Sequence, residues 1–103
     1  MTADALLTIR RAALHFSVQT YERYFAGLSS LVVLRDGADL LVLPVRLGAA
    51  GGYVIKQRNG AGDRTVDAAD FFRDNGIDDT ISLTLPAHWS NERAALIIRN
   101  IFD

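Results

Sequence analysis

The sequence has no cysteine. That excludes disulfides and thiolate metal centres, and it fits a reducing compartment. Long apolar runs are also missing. Runs such as Leu31–Leu34 and Leu40–Val45 fall far short of the ~20 residues that a helix needs to span a bilayer. Excess charge of either sign is absent: the formal net charge is −1, so no global basic field draws in nucleic acid. The start, Met1-Thr2-Ala3-Asp4, has no basic n-region of the kind a signal peptide carries. The expectation is a cytoplasmic, non-membrane protein. What the chain does have is apolar residues, 50% of 103, enough for one domain spanning 1–103 to bury a core without staples.

The second half gives the clearest local signals. Tyr53–Arg58 reads as a strand, Asn59-Gly60-Ala61-Gly62-Asp63 as a turn, and Arg64-Thr65-Val66 as a short returning strand. Asp67 is placed to cap a helix, with Asp70 three residues on. Ala68, Phe71 and Phe72 share a helical face, and Gly76-Ile77 marks the stop. Ile81, Leu83 and Leu85 alternate with polar positions, as in a half-buried strand. Pro86–Glu92 reads as a turn. Ala95–Ile98 reads as a last strand, with a short helix capped by Ser90 as the alternative.

The first half repeats this grammar. Leu6–Arg10 and His15–Val18 are strands, and Thr20 is a candidate helix cap. Tyr21, Tyr24, Phe25 and Leu28 form one apolar stripe, and Gly27-Leu28 is the stop. Leu31–Leu34 and Leu40–Val45 form a hairpin around Asp36-Gly37. Equivalent points are Ile9 and Ile55, Val18 and Val66, Gly27 and Gly76, Leu31 and Ile81, and Val42 and Ile97. The expected fold is therefore mainly β with two short helices, built from two ββαββ repeats, 6–45 and 53–101, joined by a Gly/Ala-rich linker at 46–52.

The run Gly62-Asp63-Arg64-Thr65-Val66, followed by Phe71-Phe72-Arg73, Gly76-Ile77 and Ile81-Ser82-Leu83, resembles the swapped-hairpin DNA-binding domains of the AbrB and MazE type. Two units in one chain resemble the MraZ arrangement. The resemblance implies a swapped-hairpin barrel in which both units come from one polypeptide, as an intramolecular pseudo-dimer. It departs from the family at Asp67-Ala68 and Gln19-Thr20, where an Ile-Pro is common.

In the resembled families the first hairpin faces DNA. Here Arg10 and Arg11 end the first strand of one repeat, and Lys56, Arg58 and Arg64 flank the matching turn of the other. These residues form the candidate DNA-binding set. The bland reading is that they are solvated or paired with Asp63 and Asp67. Trp89, expected in a loop, reads as a plug over the barrel or as an interface anchor. Asp67, Asp70, Asp74, Asp78 and Asp79 lack the spacing of a calcium loop, so no metal is expected. His15, His88 and the serines show no nucleophile pattern, and Asn59-Gly60-Ala61-Gly62 is not followed by a P-loop lysine. The expectation is a non-catalytic protein without a cofactor. It is either a small DNA-binding regulator or antitoxin-like protein, or a protein-interaction module or accessory subunit. Self-association beyond the internal pair stays open.

Overall fold

The computed structural model describes residues 3–45 and 52–102. Most of the expected linker, residues 46–51, lies outside the described residues. The described residues form nine strands and two short helices in the order β1 (Ala5–Arg10), β2 (Ala13–Phe16), α1 (Val18–Tyr24), β3 (Ser30–Asp36), β4 (Asp39–Pro44), β5 (Tyr53–Val54), β6 (Lys56–Gln57), β7 (Arg64–Asp67), α2 (Ala69–Asp74), β8 (Ser82–Ser90) and β9 (Ala95–Ile98). All pairings are antiparallel, in the order β5-β3-β4-β9-β8-β1-β2-β7-β6. The two ends of that order, β5 and β6, are consecutive in the chain. The sheet is therefore a nearly closed barrel.

Strict alternation decides which side of each strand faces inward. In β1, Leu7 and Ile9 are fully buried while Leu6 and Arg10 are exposed. In β2, Leu14 and Phe16 are buried, and Ala13 and His15 are not. Leu31, Val33, Leu40, Val42, Leu96 and Ile98 fill the interior from the other side. Phe25 and Phe72, both fully buried, bring α1 and α2 onto this core.

Both helices stop where the Gly-apolar pairs stand. After α2, the Ile77 amide donates to the Phe72 carbonyl at 2.8 Å and the Gly76 amide donates to the Arg73 carbonyl at 3.2 Å. This is the Schellman arrangement, and it needs the left-handed φ of +85° at Gly76. Ile77 folds back into the core. Gly27 has φ of +78°, and the Leu28 amide donates to the Phe25 carbonyl.

Helix starts differ from expectation. Ser17, not Thr20, caps α1: its Oγ accepts the Thr20 amide at 3.2 Å, which puts Thr20 inside the first turn. The Val18 amide donates to Asp63 Oδ1 at 3.0 Å, so the β6–β7 turn supplies a second cap from 45 residues away. Val18 thus begins a helix and is not the counterpart of Val66, whose strand partner is Leu14. In α2 the residue before the helix is Ala68, which has no side-chain cap, and Asp67 Oδ1 accepts the Ala69 amide from one position earlier.

Two strands differ as well. The run Tyr53–Arg58 breaks at Ile55, because β5 pairs with β3 and β6 pairs with β7. Instead of turning at Pro86, β8 continues to Ser90. It pairs with β1 through Ala87 and with β9 from His88 onward. Between 82 and 87 it has, among the described residues, a strand neighbour on one side only, which accommodates a residue without an N–H. The turn falls later, at 91–94, and Ala95–Ile98 is a strand, not a helix.

Candidate nucleic-acid interface

Register places the candidate residues relative to one another. Directly paired residues on neighbouring strands project to the same face. One cross-sheet row runs Thr84, Thr8, His15, Thr65, Lys56. The next row runs Ser82, Arg10, Ala13, Asp67. Both rows lie on the outside, since Leu7, Ile9, Leu14 and Val66 occupy the inside. Arg10 and Lys56 therefore share one outer face. At one strand spacing per step, three steps separate their strands by about 14 Å, close to the ~12 Å width of a major groove.

Arg58 joins this face. It follows β6, its amide donates to the Asp63 carbonyl at 2.7 Å, and it lines an open cleft of about 260 Å³ with Leu6, Thr8, His15, Ser17, Asp63 and Thr84. Arg11 stands at the tip of the β1–β2 turn, with φ of +52°; Ala12 beside it has φ of +56°. Two consecutive left-handed residues make the tight hairpin that Asn-Gly usually makes. Holding arginine and alanine there costs on the order of 1–2 kcal/mol for each. The Arg10–Arg11 pair and the turn after Lys56 lie at opposite ends of the β2–β7 ladder, which runs from Ala13↔Asp67 to Phe16↔Arg64.

Arg64 is placed otherwise. It pairs with Phe16, on the inner-facing row, and its guanidinium lies 4.0 Å from the centre of the Tyr21 ring. Its Nη1 also donates to the Gly62 carbonyl. This arginine packs the β6–β7 turn against α1.

Among the described residues, Arg10, Arg11, Lys56 and Arg58 have no carboxylate within ion-pair distance. The ion pairs lie elsewhere: Arg73–Asp79 at 2.8 Å, Arg93–Asp36 at 2.7 Å and Arg99–Asp39 at 3.5 Å. Asp63 and Asp67, the acids nearest the hairpin cations, bond to other groups. Asp63 accepts the Asn59 side chain and the Val18 amide, contacts that, with Asn59 first, hold its carboxyl below the usual range, and the nearby Arg58 and Arg64 charges lower it further. Asp67 accepts the Ala69 amide, although it is exposed on the same outer row as Arg10.

His15 has no role in the sequence reading, yet it occupies the middle of the polar row. Among the described residues its buried Nδ1 has no hydrogen-bond partner. Burial lowers its pKa from the ordinary 6.5; the Arg10 backbone opposes that shift, and the Arg10 and Arg58 charges add to it. The signal in the sequence is its alternation with Leu14 and Phe16, which turns it outward beside threonines.

Trp89 is in β8, not in a loop. Its ring stacks on Tyr24 at 5.2 Å, its Nε1 donates to Asn91 Oδ1 at 2.8 Å, and its amide donates to Asp4 Oδ2 at 2.7 Å. It packs half-buried against the main core. Among the described residues no group of three or more histidines or carboxylates is placed to hold a metal ion. No family model, curated protein or solved structure matches the chain.

Proposed function

We propose that this chain is a small DNA-binding regulator or antitoxin-like protein that contacts the duplex through the outer face of β8-β1-β2-β7-β6. The observation that carries this reading is the contrast in charge pairing. Arg10, Lys56 and Arg58 share one face without carboxylate partners among the described residues, while Arg73, Arg93 and Arg99 are paired elsewhere and Arg23 and Arg35, which also lack a carboxylate, lie over the Tyr24 and Phe102 rings. Unpaired cations at groove spacing suit phosphate contacts, and a strand face with threonines suits groove edges. No catalytic step belongs to this reading.

The fold proposed with it is a duplicated swapped-hairpin barrel. The strand pairings support it. Exchange β1 with β5–β6, β2 with β7, β3 with β8 and β4 with β9. Each ladder then maps onto another or onto itself: β1–β8 becomes β5–β3, while β2–β7 and β4–β9 are unchanged.

The test is fluorescence anisotropy with fragments of the source genome at low salt. Binding that weakens steeply with salt supports the reading, and no binding to any fragment overturns it. The second reading, a protein-interaction module, is favoured by one observation. Leu34 and Val54, on the outer side of β3 and β5, are 47% and 59% exposed. A pull-down that captures a defined partner and loses it on Leu34→Asp would support that reading.

A further inference from the structure

One titratable group stands at the centre of the proposed DNA face. Thr8 lies opposite His15 on β1 and Thr65 lies opposite on β7. The charged groups around it are Arg10 on β1, Lys56 on β6, Arg58 after β6, Asp63 across the cleft and Asp67 on β7. Among the described residues no carboxylate lies within ion-pair distance of the imidazole. Asp63 is committed to the Val18 amide and Asn59. The imidazole thus sits among cations; its Nδ1 is buried without a partner among the described residues, so the ring would meet a phosphate through its other nitrogen, Nε2.

We propose that His15 is a proton-coupled contact for the DNA backbone: the face binds a duplex with uptake of one proton, and the bound chain carries an imidazolium between Arg10 and Arg58. The inference rests on the DNA reading above. Its physical basis is reciprocal linkage. In the free chain, burial and the Arg10 and Arg58 charges oppose protonation of the ring. Phosphates laid across the face neutralise those guanidinium charges and offer an acceptor for an imidazolium N–H. Each effect favours the other. The proton comes from solvent, and no covalent bond changes.

The two functional forms differ in charge by one. An added cation that neutralises one phosphate steepens the salt dependence by about 0.9 in the log–log slope. Uptake of one proton also makes affinity rise by up to about tenfold per pH unit of acidification inside the titration window.

The experiment titrates the full chain calorimetrically with a mixed-sequence duplex at pH 6.5, in two buffers of different ionisation enthalpy. The enthalpy difference counts the protons taken up. Salt slopes are measured at pH 5.5 and pH 8. The parent should take up protons on binding, at most one per chain, and show a slope about 0.9 steeper at the lower pH. His15→Gln should take up none and show one slope at both. His15→Thr, which matches its neighbours Thr8 and Thr65, provides the same comparison if the glutamine variant does not fold. His88→Gln, on the part of β8 that pairs with β9, should behave as the parent does. A parent that binds DNA without proton uptake overturns the proposal, as does uptake that survives loss of His15. If the parent binds no duplex at either pH in low salt, the DNA reading itself falls, and this inference with it.

Discussion

Remove the three cations of the outer face together, by Arg10→Ala, Lys56→Ala and Arg58→Ala, and the salt dependence of DNA binding should change by a calculable amount. If each holds one phosphate, the log–log slope should flatten by about 2.7, at roughly 0.9 per contact. Between 50 and 200 mM salt, a fourfold change, that difference is a factor of about 40 in affinity. The structure supplies the control. Arg73, Arg93 and Arg99 already face Asp79, Asp36 and Asp39, so their triple alanine variant removes the same formal charge from other sites. Its slope should match the parent. Arg64→Ala separates packing from binding again: it should lower the melting temperature through loss of the Tyr21 stack and leave the slope nearly unchanged. The assay is anisotropy of one labelled duplex across a salt series, with circular dichroism to confirm that each variant is folded. Equal flattening in both triple variants would refute the reasoning, because the effect would then follow net charge and not the face.

The helix stop gives a smaller number. Among the described residues nothing lies within 4 Å of a Cβ added at Gly76, so Gly76→Ala bears only the left-handed penalty of about 1–2 kcal/mol, less the ~0.4–1 gained from a stiffer unfolded chain. Urea melts should show a net loss of up to about 1.6 kcal/mol; a variant more stable than the parent would contradict the cap. Phe72→Ala, at a fully buried site, should cost about 3–5 kcal/mol, and Phe71→Ala, half-buried, clearly less. Equal losses would mean that α2 presents a different face. Arg11→Gly should relieve the left-handed turn and stabilise the chain by up to about 1 kcal/mol, while flattening the salt slope by about 0.9. A less stable variant would show that the arginine stem packs where the turn geometry places it in solvent.

Features set by a few adjacent residues were legible in the sequence. The Gly27 and Gly76 stops follow from glycine's access to positive φ, and Asp36-Gly37 gave a two-residue hairpin whose register closes at Asp36↔Asp39. Features set by partner exchange were not. Pro86 reads locally as a breaker, but β8 passes through it while changing its neighbour from β1 to β9. Tyr53–Arg58 reads as one strand, yet the nearly closed barrel needs it to leave β3 for β7 at Ile55. The second cap of α1 comes from Asp63, and no local pattern announces a bond across 45 residues.

The candidate site shows the same division, and strand parity explains it. Arg64 reads as one group with Lys56 and Arg58 because all three flank one turn. Yet Arg64 lies two residues before Val66, and residues two apart in a strand project to the same face. Val66 is fully buried, so Arg64 had to point inward, where it meets Tyr21. Lys56 is opposite Thr65, of the other parity, and so points out. The same rule turns Arg10 outward against Ile9, and His15 outward against Leu14 and Phe16. Alternation along β7 is thus enough to separate the packing arginine from the surface cations. What parity cannot supply is register, because only the β2–β7 ladder brings His15 beside Thr65 and so places an imidazole between the cations of two hairpins.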